Sequence, residues 1–154
     1  MTRAELRVAV DVAAPPDAVW HKITDWTGQG DWMLGTRVQP TRGGDGRRLG
    51  ATLEAVTGVG PLGVTDPMEI VEWVPPRRCV VRHLGRVVRG EGVFEVLPLG
   101  ADRARVCWSE LLDLPLGRLG TLAWPLVRPA FRAGMAFSLR RMARQCEEEH
   151  RSHA

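Results

Sequence analysis

Residues 125–148 read P-L-V-R-P-A-F-R-A-G-M-A-F-S-L-R-R-M-A-R-Q-C-E-E, and their periodicity decides the fold. With Met135 set at zero and a helical step of about 100° per residue, Phe131, Leu139, Met142 and Cys146 fall within about 40° of it. Arg140, Arg141, Arg144 and Glu147 fall outside that stripe. The spacing predicts a long C-terminal helix over about 125–148 whose last turns lie on an apolar surface. The first turns differ, because Leu126, Ala130, Ala133 and Phe137 occupy the opposite face and are apolar too. A helix apolar on two sides packs on two things. One is a sheet. The other is the preceding Leu116–Trp124 segment, a partner chain or a ligand.

The sheet is legible upstream. Residues 5–12, E-L-R-V-A-V-D-V, alternate apolar and polar side chains, the mark of a half-buried strand. Ala13-Ala14-Pro15-Pro16 ends it, and Asp17 favours the positive end of a short helix over about 15–24 with Val19, Trp20 and Ile23 as its stripe. Residues 25–33, D-W-T-G-Q-G-D-W-M, suit a turn or one short helical segment presenting Trp26 and Trp32. Strands follow at 34–40, 48–57, 64–74 (bent near Pro67), 78–84, 86–97 and 103–112, with a turn at 98–102.

Once the arginines are placed in water, a side-chain period of two sends Cys79, Val81 and His83 inward. The same rule turns Val88, Gly90, Gly92, Phe94 and Val96 inward, and then Ala104, Val106, Trp108 and Glu110. The expected architecture is therefore α+β, one domain over 1–154. A curved antiparallel sheet of about seven strands wraps the long C-terminal helix, with two short helices after the first strand. A straight helix on a curved sheet meets it closely at one end and leaves a gap at the other, a natural cavity.

Composition narrows the function. A chain of 154 residues with 44% hydrophobic and 25% charged residues is a single globular unit and not a disordered one. A formal charge of +3 is small for a nucleic-acid binder. Cys79, Cys107 and Cys146 are far apart and form no CxxC or Cys/His cluster, so buried free thiols are expected, without a metal site or a disulfide framework. The opening M-T-R-A-E-L-R-V-A-V-D-V is not a signal peptide, and residues 114–137 hold Arg118, Arg128, Arg132, Pro125 and Pro129, which excludes a transmembrane segment there. Cytoplasmic location is expected, in a bacterium by the Ala/Gly/Val/Arg/Pro-rich usage. No cofactor and no nucleic-acid partner is expected, and self-association is weak at most.

Three stretches resemble one superfamily. A-A-P-P-D-A-V-W at 13–20 is similar to its passage from first strand to first helix. E-I-V-E-W-V-P-P-R-R at 69–78 is similar to its strand-turn-strand passage. L-P-L-G-R-L-G at 114–120 with W-P-L-V-R-P at 124–129 is similar to the lead into its final helix. By these the chain resembles the START-like, or SRPBCC, superfamily, which includes polyketide cyclase/dehydrase-like proteins, lipid-transfer domains and Bet v 1-type proteins. The resemblance spans the whole chain and its motifs mark a fold, not a catalytic set. It implies a helix-grip fold enclosing an elongated apolar cavity for lipids, polyketides, steroids or other hydrophobic molecules. Some members catalyse cyclisation or dehydration and others only bind or carry.

The candidate site follows from the inward positions. Six tryptophans and no tyrosine supply flat apolar surface, with Trp32 and Trp108 nearest the expected cavity. The expected lining is Trp32, Leu34, Leu53, Met68, Val81, His83, Phe94, Trp108, Glu110, Phe131, Met135 and Leu139. His83 and Glu110 are the polar members. As strand-end residues they would bond to backbone or water. As neighbours they could orient a ligand or transfer protons. Gly90 and Gly92 permit a bend or widen the cavity, and residues 58–63 form a lip over it or a plain connector. Gly43-Gly44-Asp45-Gly46 lacks the Lys-Ser/Thr of a phosphate loop. The arginines at 140, 141, 144 and 151 read as a solvated helix face.

The first functional reading is a protein that binds a hydrophobic small molecule, a lipid, polyketide-like or aromatic compound. One alternative is a polyketide cyclase/dehydrase using His83 and Glu110 for proton transfer. Another is a module that docks a protein or membrane surface through residues 116–137.

Overall fold

A computed structural model describes residues 3–114 and 116–153. Strand β1 (Arg3–Val12) is followed by helix α1 (Pro16–Thr24) and a 3₁₀ turn at Thr27–Asp31. Strands β2 (Thr36–Pro40), β3 (Thr52–Thr57), β4 (Val64–Val74), β5 (Arg78–Leu84), β6 (Arg89–Gly100) and β7 (Arg103–Asp113) come next, then helix α2 (Arg118–Ser152). The seven strands form one sheet in the order β1-β7-β6-β5-β4-β3-β2, and every neighbouring pair is antiparallel. The first strand thus lies against the last, which leaves β1 and β2 as the two edges. This is the helix-grip arrangement expected from the sequence.

Alternation sets the concave face. Leu6, Val8 and Val12 of β1 are buried, as are Cys79 and Val81 of β5. Gly92, Phe94 and Val96 of β6 join Ala104, Val106, Trp108 and Glu110 of β7. The C-terminal half of α2 closes this face with Met135, Leu139, Met142, Ala143 and Cys146. The three described cysteines are free and buried.

Strands β2 and β6 begin later than expected, at Thr36 and Arg89, α2 runs on to Ser152, and four other departures have a local cause. Strand β3 begins at Thr52, because Gly50 turns through a positive φ of 82° and leaves Leu49 exposed. The irregularity in β4 lies between Ile70 and Glu72, while Pro67 stays in register opposite Glu54. Strand β6 runs on through Pro98 to Gly100 with a register shift between them, so the turn shrinks to Ala101–Asp102. Helix α2 starts at Arg118 and carries Pro125 and Pro129 inside it. Proline's fixed φ is already helical, so each ring forfeits its own N–H bond without reversing the chain.

At 35 residues α2 is about 52 Å long. Only its C-terminal half is packed. From Arg118 to Ala133 every residue is exposed except half-buried Gly120 and Trp124. Arg132 ties this stretch to the sheet edge by donating to the carbonyl of Arg7 at 2.9 Å.

Candidate functional site

The concave face carries one polar chain. Strand β4 turns Asp66 inward on the same side as Met68 and Ile70, β5 presents His83, and β7 presents Glu110 and Trp108. His83 donates its Nδ1–H to Oδ2 of Asp66 at 2.7 Å and its Nε2–H to Oε2 of Glu110 at 3.0 Å. Trp108 donates Nε1–H to the other oxygen of Glu110 at 2.9 Å. The side chains of His83, Asp66 and Glu110 are 6%, 12% and 10% exposed, so all three are shielded from water.

Burial opposes a charge on His83, but hydrogen bonds and attraction to Asp66 and Glu110 outweigh it and push the imidazole up to about 10. At neutral pH His83 is therefore an imidazolium between two carboxyl groups, and both of its N–H groups are engaged.

Strand β6 makes the contact possible. Gly90 lies opposite His83 and Gly92 lies opposite both Val81 and Glu110. A Cβ added to Gly92 would stand 3.2 and 3.4 Å from the two carboxylate oxygens of Glu110. Gly90 has φ of 116°, and a Cβ there would overlap the carbonyl oxygen of Leu111. Gly92 thus makes room for the Glu110 carboxylate, while Gly90 serves the backbone, through its positive φ and close approach to Leu111.

Among the described residues, two buried side-chain polar atoms lack a partner, Oδ1 of Asp66 and Nε1 of Trp32. Such atoms are uncommon in folded proteins, at a cost of about 1–3 kcal/mol each. Asp66 was not among the residues read from the sequence. Its signal was parity: on a strand over 64–74, Asp66 shares the inward side with Met68, and an inward carboxylate needs a partner.

The sequence-predicted lining divides into two groups. Trp32, Leu53, Met68, Val81, Phe94, Trp108, Met135 and Leu139 belong to one buried apolar cluster next to the polar chain. The rings of Phe94 and Trp108 lie 5.4 Å apart. Leu34 and Phe131 are instead 53% and 41% exposed, Leu34 beside α2, where its N–H donates to Ser138 Oγ, and Phe131 on the stretch of α2 that stands clear. Trp20, Trp26 and Trp73 form a separate aromatic group, with Trp73 5.1 Å from Trp20 and 6.4 Å from Trp26. Two surface hollows of about 440 and 410 Å³ lie along α1, one against the end of α2 and the other beside Pro75-Pro76. Neither is lined by a residue of the predicted set.

Burial pushes the thiol of Cys79 up to about 12 and that of Cys146 up to about 11, so neither is a ready nucleophile. Among the described residues no group of three or more His, Cys, Asp or Glu side chains is arranged to hold a metal ion.

A curled sheet gripping one long helix, with a buried polar chain on the gripped face, defines a helix-grip protein. The chain belongs to the polyketide cyclase/dehydrase and lipid transport family, whose sequence profile matches residues 3–147. Three solved structures illustrate the likeness. TTHA0849 from Thermus thermophilus is 20% identical with a TM-score of 0.77, covering 93% of this chain and 97% of that one. The ZhuI aromatase/cyclase from Streptomyces sp. R1128 is 19% identical with a TM-score of 0.74, covering 95% and 94%. A norcoclaurine synthase point mutant from Thalictrum flavum, in complex with a transition-state analogue, is 17% identical with a TM-score of 0.68, covering 96% of each chain. No sequence among curated proteins matches the chain significantly.

Proposed function

We propose that the protein binds an apolar small molecule carrying a hydrogen-bond donor, seated on the concave face beneath the N-terminal half of α2. The observation that carries this reading is the buried Asp66–His83–Glu110–Trp108 chain, in which Oδ1 of Asp66 is the unpartnered acceptor. Apolar neighbours such as Met68, Val81 and Phe94 supply affinity through buried area, at about 25 cal/mol per Å² before ordering costs. A hydroxyl or N–H of the guest donates to Asp66 and fixes its orientation. His83 holds the two carboxyl groups in place. The family description, cyclisation or dehydration of polyketides and transport of lipids, supports a lipid, polyketide-like or aromatic guest.

The cyclase/dehydrase reading is favoured by the His83–Glu110 contact. In that reading the proton acceptor facing the substrate is Asp66, because His83 is already protonated and has no free nitrogen. His83 and Glu110 then position Asp66 and do not themselves touch substrate. Docking through residues 116–137 uses a different surface and does not compete with either reading.

Tryptophan fluorescence titration with 1-naphthol and with 1-methoxynaphthalene, in the wild type and in Asp66→Asn, tests the site. The naphthol should bind about tenfold more tightly than its methyl ether, the worth of one hydrogen bond to a charged acceptor. Asp66→Asn should erase the preference, because its amide oxygen must face His83 and its NH₂ then faces the guest. Equal binding of the two probes, or binding of neither, would overturn the reading. A poly-β-keto substrate that is turned over by the wild type and only bound by Asp66→Asn would favour the enzyme.

A further inference from the structure

The outer face of α2 is divided along its length in a way that the ligand site does not use. With Leu119 set at zero and about 100° per residue, Leu122, Leu126 and Phe137 fall within about 60° of it. That direction is opposite to buried Met135, Leu139, Met142 and Cys146, so it looks away from the sheet. Leu119, Leu122 and Leu126 are 70%, 74% and 83% exposed. Further along the same stripe come Arg140, Arg141 and Arg144. The face is apolar for its first half and basic immediately after.

Charge says what covers it. Residues 114–146 contain six arginines and no aspartate, glutamate or lysine. With a whole-chain charge of +3, the remainder carries net −3, so positive charge is concentrated on this one element. A second copy packed with its helix parallel would oppose arginine to arginine, which like-charge repulsion disfavours, and one packed antiparallel over the leucines would leave the arginines unmatched. A surface with an apolar interior and a negative skin satisfies both halves of the stripe.

The end of the molecule is built to match. The turns after β3, β5 and β7 share one end of the sheet, since alternate antiparallel strands run the same way. They carry Val59 and Leu62, each 84% exposed, Val87, 60% exposed, and Leu116, 78% exposed. The exposed start of α2 leaves from this same end, and the polar chain of the concave face lies near it.

We infer that the N-terminal half of α2 docks the protein on an anionic lipid bilayer. Leu119, Leu122 and Leu126 enter the acyl boundary, and Arg140 and Arg144 contact lipid phosphates. The docked end is the end nearest the ligand site, so an apolar guest moves between bilayer and protein without crossing water.

Sedimentation with vesicles of phosphatidylcholine, with and without one-third phosphatidylglycerol, tests this. Partitioning should be about tenfold or more stronger on the anionic vesicles and should weaken as salt is added. The double variant Leu122→Asp/Leu126→Asp should abolish it. The variant Arg140→Gln/Arg144→Gln should reduce it to the level on phosphatidylcholine alone. All four side chains are exposed, so circular dichroism should match the wild type. Failure to bind anionic vesicles overturns the inference, as does binding that either variant leaves unchanged. A dimer in solution that Leu122→Asp/Leu126→Asp dissociates, without vesicle binding, assigns the face to a second copy instead. The naphthol titration reads the other side of α2, so the two results are independent.

Discussion

His83 on β5 and Glu110 on β7 hydrogen-bond at 3.0 Å across an intervening strand, over Gly90 and Gly92. Two strand spacings amount to about 9–10 Å, beyond the reach of side chains separated by a bulky residue. Gly92 removes that obstacle beside Glu110. Asp66 completes the chain from the other flank of His83, so polar contact runs across the strip from β4 to β7. Two measurable consequences follow from this chain, and a third prediction concerns α2.

The first concerns pH. The folded-state pKa of His83 is raised from 6.5 to about 10 by its two carboxylate partners. Its contribution to stability is therefore fully present below pH 6.5 and is lost as pH rises through about 10. Denaturant melts between pH 6 and 10 should show stability falling over that window. His83→Gln should flatten the slope, and His83→Ala at pH 7 should destabilise by about 3–5 kcal/mol by leaving two buried carboxyl groups without their cation. An unchanged slope in His83→Gln would assign the pH dependence elsewhere.

The second concerns Gly92. A methyl group there meets Val81 at 3.1 Å as well as Glu110 at 3.2 Å, so one of them must give way. Gly92→Ala should cost about 1–3 kcal/mol as an overpacked site. Because the displaced group includes the carboxylate, the variant should also lose part of the pH slope attributed to His83. A stability loss with an intact slope would mean that Val81 alone moved.

The third separates the two halves of α2. Leu139→Ala and Met142→Ala remove fully buried side chains and should each cost about 2–5 kcal/mol. Leu122→Ala and Leu126→Ala remove exposed ones and should stay within about 0.5 kcal/mol of the wild type. Thermal unfolding of the four variants checks this, and a large loss at Leu126 would mean that the first turns pack on the domain after all.

Period-two alternation and the stripe through Met135 were enough to read the strands, the grip of the sheet on a terminal helix, and the inward direction of His83, Glu110 and Trp108, because burial of one face is a local property of each element. The apolar outer face of α2 was visible in the same way. What alternation could not supply is which inward residues meet. The partnership of His83 with Glu110 depends on β6 lying between their strands with glycines at the crossing, and that of His83 with Asp66 on the register of β4 against β5. Register and strand order are long-range properties, fixed by how the whole sheet buries its face. The exposure of residues 118–133 was likewise decided in three dimensions: the curled sheet is shorter than the helix, so only one half of α2 finds a surface to cover.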